Sequence, residues 1–168
     1  MKISVRLVKA VATAMIFLLV SGATRIMAEE NTTPTKPSGS TVGFSKFRAR
    51  VETESNELEV TALFTLGQQS SGINPESQEV SLKVGNFSVA IPAGSFKATS
   101  IGWFKYEGMI NGADLEVKIV PLGANRYGFR AEVAAKGLTT PTPGQTQVEL
   151  SIDGNGGSMT AKVERSWL

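Results

Sequence analysis

The sequence predicts an all-β fold: an antiparallel β-sandwich of about nine or ten short strands, preceded by a cleaved leader. Three observations carry this. From residue 44 onward, apolar residues recur with period two and almost never with period 3.6, the mark of strands with one buried and one wet face. Turn-forming residues fall between nearly every pair of alternating runs. An Asn-Gly pair, Asn111-Gly112, separates two of these runs, where a two-residue hairpin loop needs both positions at positive φ.

The leader comes first in the chain. Lys2, Arg6 and Lys9 precede an apolar run from Ala10 to Val20, and small residues follow up to Met27-Ala28, just before Glu29-Glu30. Charge, short apolar core and small-residue cut site in that order predict a signal peptide over residues 1–28, cut after Ala28 or alternatively after Ala23. The apolar run is too short to span a bilayer. The mature protein is therefore expected outside the cytoplasm, periplasmic or extracellular. Residues 29–42 are polar and proline-bearing and read as a flexible tether. A single domain is expected over residues 43–168.

Removing the leader changes the electrostatics. The full chain has 17 Lys+Arg and 15 Asp+Glu; Lys2, Arg6, Lys9 and Arg25 precede the cut and no acidic residue does, so 13 basic stand against 15 acidic residues in the mature chain. No basic run survives, which excludes the footprint that nucleic-acid binding requires. There is no Cys. No disulfide can staple the domain, and no lipidated cysteine can tether it. No second stretch of membrane length follows the leader, so no membrane anchor is expected. Exported without disulfides, the chain reads as bacterial. About 140 residues suffice for an ordinary core.

The strands follow in order. Phe47, Ala49 and Val51 alternate with Lys46, Arg48, Arg50 and Glu52, and Leu58 to Leu66 alternate with Glu57, Glu59, Thr61 and Thr65. Val80 to Val84, Phe87 to Ile91, Phe104 to Ile110, Leu115 to Ile119, Tyr127 to Val133, Val148 to Ile152 and Met159 to Val163 complete the set. The Asn111-Gly112 loop fixes a register in which Ile110 faces Ala113, Gly108 faces Leu115, Tyr106 faces Val117 and Phe104 faces Ile119. The opposite face then pairs Met109 with Asp114, Glu107 with Glu116, Lys105 with Lys118 and Trp103 with Val120. Like charges sit opposite each other, while the diagonals match Lys105 with Glu116 and Glu107 with Lys118, so this face is expected to be wet. Tyr127, Phe129, Ala131 and Val133 extend the apolar face into a three-stranded meander. The core is expected along Phe104, Tyr106, Leu115, Val117, Phe129 and the strands of Phe64 and Phe87. An eight-stranded outer-membrane barrel is the rival architecture, but it needs outward apolar bands and aromatic girdles that these short strands lack.

The block VSLKVGNFSVAIPAGSF (80–96) followed by FKYEGMINGADLEVKIVPLGANRYGFRAE (104–132) resembles an uncharacterised group of secreted bacterial β-domain proteins, some of which carry it in tandem. The likeness runs from about Phe64 to Val163. It implies an extracellular β-domain and brings no catalytic residue with it; a single copy here departs from the tandem form.

Reactive chemistry is thinly represented. With no His and no Cys, the commonest general base, thiol nucleophiles and thiolate zinc sites are excluded. The serine-hydrolase signatures are missing too. No catalytic residue, cofactor or metal is therefore expected. Glu52, Glu54, Glu57 and Glu59 could supply a glycosidase pair, against the plainer reading of a solvated strand face. Asp153, Asn155 and Glu164 fall at positions one, three and twelve of a calcium loop. Gly157 and Ser158, at positions five and six, break that pattern and favour a glycine-rich hairpin turn. Trp103 on the wet face could stack on a sugar or a partner, or could cap the fold beside Val120 and Met109. Trp167 could plug the core or fray.

Three function classes follow. The first is a secreted, non-enzymatic binding or surface-associated module with a protein or glycan partner. A carbohydrate-binding module using Trp103 is its more specific form. A hydrolase using surface carboxylates is the third.

Overall fold

The alternating runs resolve into eleven strands in the computed structural model, which describes residues 42–165: β1 (Val42–Gly43), β2 (Lys46–Glu54), β3 (Glu57–Thr65), β4 (Val80–Val84), β5 (Phe87–Ile91), β6 (Lys97–Ala98), β7 (Phe104–Ile110), β8 (Ala113–Gly123), β9 (Arg126–Ala134), β10 (Gly144–Ile152) and β11 (Asn155–Arg165). The signal peptide and residues 29–41 of the tether lie outside the described residues, as does Trp167. Val42, expected as the tether's last residue, already belongs to β1. Its N–H donates to the Gly154 carbonyl at 2.7 Å, and the two-residue strand runs parallel to β11.

The hairpin built on Asn111-Gly112 forms as expected. Asn111 and Gly112 take φ of 52° and 79°, and the register runs from Ile110 opposite Ala113 to Phe104 opposite Ile119. β9 pairs with the other side of β8, which completes the meander. Asp153-Gly154 makes a second loop with both φ positive, joining β10 to β11. The β8–β9 turn puts Ala124 and Asn125 in the same region, at 50° and 58°.

The all-β class holds, but the expected two-sheet sandwich is replaced by one sheet. Its strand order is β5-β4-β10-β11-β2-β3-β9-β8-β7-β6, with β1 beside β11. The link is the end of β11, where Val163 to Arg165 run parallel to Val51 to Thr53 of β2 and join what would have been separate layers. The sheet curls so that both halves turn their apolar sides into one core. Val80, Leu82, Val84, Val148, Leu150 and Ile152 cluster there with Val51, Val60, Phe64, Val117, Ile119 and Phe129. Alternation along a strand is the same for a sandwich and a curled sheet, so it does not distinguish them. The barrel rival fares worse: the side of β2, β3, β7, β8 and β9 turned away from the core carries charged residues, which lipid would not tolerate. Of the expected core residues, Phe104, Tyr106 and Phe87 are half-buried at its margin. One end of the core is closed by aromatics: Phe64 stacks on Phe44 and Tyr127, with ring centroids 4.5 and 5.3 Å apart.

Candidate functional site

On the outer face, residues of one kind line up across the strands. Glu164, Glu52, Glu59, Glu132, Glu116 and Glu107 stand opposite one another in turn from β11 through β2, β3, β9 and β8 to β7. One step along the strands, Arg50, Thr61, Arg130, Lys118 and Lys105 form a parallel, cationic row. At about 4.8 Å between strands, neither row would be stable alone. Together they neutralise each other. Arg130 holds Glu59 at 3.0 Å and Glu132 at 3.1 Å, Lys118 holds Glu116 at 2.7 Å, and Lys105 reaches Glu107 at 2.9 Å and Glu116 at 3.4 Å. Arg50 bridges Glu52 and Glu164, which Lys162 also holds.

The titration behaviour follows. Hydrogen bonds from Lys118, and then from Lys105, pull Glu116 below the usual carboxylate range. Arg50 and then Lys162 do the same to Glu164. Arg130 is raised chiefly by its hydrogen bond to Glu59, and Lys105 by its hydrogen bond to Glu107. The expected Lys105–Glu116 diagonal is present. In place of the Glu107–Lys118 diagonal, each of these residues pairs along its own strand.

The next row is apolar apart from Arg48 at its β2 end. Arg48 stands opposite Leu63, Leu63 opposite Gly128, and Gly128 opposite Val120; Trp103 completes the row one residue before β7. Gly128 leaves a gap in the middle. A Cβ there would lie 3.8–4.0 Å from Leu122, Val120 and Leu63, at ordinary contact distance. Leu122 reaches this point because β8 carries an irregularity between Pro121 and Gly123. The result is an open groove of about 570 Å³ lined by Arg48, Leu63, Trp103, Val120, Gly128 and Arg130, together with Arg50 and Lys118. Leu63 is 57% exposed, Leu122 45% and Trp103 40%.

Trp103 is held from its own backbone. Its N–H donates to Thr99 Oγ1 at 3.1 Å, and its carbonyl accepts from the Thr99 N–H at 2.7 Å. This turn presents the ring beside Val120 while Met109, the other neighbour expected for a cap, projects into solvent six residues further along β7. Beyond the groove, Lys46, Thr65 and Arg126 form a further row. The groove is thus flanked by positive side chains on both sides, and none of these three rows contains an acidic residue. The cations on one flank are paired with the glutamate row. Arg48, Lys46 and Arg126 have no ion pair among the described residues.

The calcium-loop residues are not brought together. Asp153 sits in the β10–β11 turn, accepting from Gln78 Nε2 at 3.1 Å. Asn155 is buried at the start of β11, and Glu164 lies near its far end on Arg50. Gly157 is required there by packing, since a Cβ would lie 2.7 Å from the Phe44 ring. Of the four glutamates weighed as a hydrolytic pair, Glu52 and Glu59 belong to the neutralised row. Among the described residues no three His, Cys, Asp or Glu side chains converge on a metal-sized site. Sequence reasoning found Trp103 but missed Gly128, Leu63, Leu122 and Arg48. A glycine inside an alternating run, YGF at 127–129, is the signal that could have marked a gap in the sheet surface. Compared with protein-family models, with curated proteins and with solved structures, the chain gives no significant match.

Proposed function

We propose that this is an exported, non-enzymatic binding domain that takes its ligand in the Trp103 groove on the outer sheet face. The observation that carries the proposal is the half-exposed indole held at the end of an apolar row beside a glycine gap. A flat indole over an open floor can stack on a sugar ring or on an apolar side chain of a partner. The neutralised glutamate row supports binding over hydrolysis, because glycoside cleavage needs a carboxyl kept protonated, whereas the shifts on Glu116 and Glu164 run the other way. The leader-like residues 1–28 and the resemblance to secreted bacterial β-domains support export.

The test is Trp103→Ala, measured twice. Mobility in native gels containing soluble polysaccharides reports binding, and thermal unfolding reports stability. Retardation that is lost in the variant at unchanged melting temperature supports the reading. A lowered melting temperature with retardation unchanged would make Trp103 a cap.

A further inference from the structure

We infer that the groove's ligand is an anionic polysaccharide, its charge carried by uronate carboxylates or sulfate esters. The inference rests on the binding reading above and adds the ligand's class. The three adjacent rows that make and flank the groove contain Lys46, Arg126, Arg48, Arg50, Arg130 and Lys118 and no acidic residue, although the expected mature chain is slightly acidic. Arg50, Arg130 and Lys118, on one flank, are matched by glutamates in the next row; Arg48, within the groove, and Lys46 and Arg126, on the other flank, are in no ion pair among the described residues. Its planar guanidinium suits an oxyanion with two acceptor oxygens. At the other end of the row, Trp103 offers a stacking surface.

The geometry separates a sugar chain from other anions. From Arg48 to Trp103 the row crosses four strand spacings, about 19 Å, enough for several linked sugar rings with one on the indole and a charged one on Arg48. The groove runs across the strands, whose backbone groups are spent in ladders on both sides. A peptide laid there would find no backbone partners. An acyl chain on so open a floor would stay half wet. A glycan needs neither backbone pairing nor enclosure.

The experiment uses calorimetric titration with four probes: tetragalacturonate, sulfated dextran, neutral cellotetraose and poly-glutamate. The expected result is binding of one or both anionic glycans, with the responding arm identifying the charged group, and weakening as salt screens the cations. Trp103→Ala should weaken it about tenfold, equivalent to about 1.4 kcal/mol. Arg48→Gln should weaken it several-fold and flatten its salt dependence. Gly128→Val should abolish it with the fold intact, because a Cβ at this position meets its neighbours at ordinary contact distance and the branches beyond it extend over an open, exposed surface. Lys83→Gln, on the β4–β10 side and paired with Glu149, should change nothing. Cellotetraose binding that is indifferent to Arg48→Gln overturns the anionic ligand and leaves the binding reading standing. Poly-glutamate binding as well as the glycans reduces the groove to unspecific charge attraction and overturns the inference. No binding by any probe overturns it as well, and the polysaccharide-gel test above then decides the wider reading separately.

Discussion

Glu59 and Glu132 face each other directly across the β3–β9 ladder, and one guanidinium, that of Arg130, holds both. Opposed like charges destabilise a sheet. Arg130 turns this pair into part of a network that extends along the row. All three side chains are partly exposed, so water screens the attraction and its worth is modest.

Arg130→Met should therefore lower stability by about 0.5–1 kcal/mol. The cause is specific, and a double-mutant cycle in denaturant exposes it. Adding Glu59→Gln to Arg130→Met should recover most of the loss, because it removes one of the two opposed charges. Independent, additive losses would mean that Arg130 does not mediate the pair.

The sign of the pH dependence follows from the same grid. Glu116 and Glu164 are held below the ordinary carboxylate value, so their contribution is full at neutral pH and disappears as pH falls through their lowered values, below about 4.3. Lys105 is raised, so its contribution is full below about 10.4 and is lost as pH rises through its higher value. With no histidine and no cysteine in the chain, no side chain titrates by its ordinary value between about pH 5.5 and 9. Calorimetry should give a melting temperature that is flat from about pH 5.5 to 9 and falls on either side. A step between pH 6 and 7 would mean that another group governs stability.

How much of this was legible in the sequence depends on how far apart the partners lie. The β7–β8 register could be read from Asn111-Gly112 because the loop is local and its φ requirement is strict. The single sheet could not. It depends on Val163 to Arg165 finding Val51 to Thr53 more than a hundred residues away, and the apolar alternation of both strands is silent on their pairing. The glutamate row was half visible: Glu107 opposite Glu116 came from the hairpin, whereas Glu52, Glu59 and Glu132 joined only through the β2–β3–β9 ladder. Trp103 could be placed on the wet face from local register. The groove beside it is made by Leu63 and Gly128, from strands whose order the sequence does not encode locally.

The β8–β9 turn holds a correctable strain. Ala124 sits at φ 50°, a left-handed conformation that costs an ordinary L-residue roughly 1–2 kcal/mol. Asparagine tolerates that region better. Ala124→Asn should raise stability by about 0.5–1 kcal/mol, seen as a shifted denaturant midpoint at unchanged slope. Ala124→Val, stiffer at this φ, should lower it. If both variants behave alike, the turn relaxes and stores no strain.

Gly157 separates the two readings of the β10–β11 stretch most sharply. In a calcium loop this position supplies a ligand, so Gly157→Asp would complete the set with Asp153 and Asn155 and would be expected to create or strengthen metal binding. The packing says otherwise. A Cβ at Gly157 would lie 2.7 Å from Phe44 Cδ2 and 3.2 Å from Phe47 Cβ, and Phe44 stacks on Phe64 at the end of the core. A rigid ring wedged between strand and core cannot move aside without loosening that stack. Gly157→Ala should therefore cost about 1–3 kcal/mol through overpacking, and Gly157→Asp at least as much, because it also presses a carboxylate against the aromatic cluster. Calcium should not restore the aspartate variant, since Glu164 is held by Arg50 at the other end of β11. Melting curves with calcium and with a chelator check this directly. Superimposable curves for the native sequence and for both variants support the turn, and a rise of several degrees for Gly157→Asp on adding calcium would restore the metal loop.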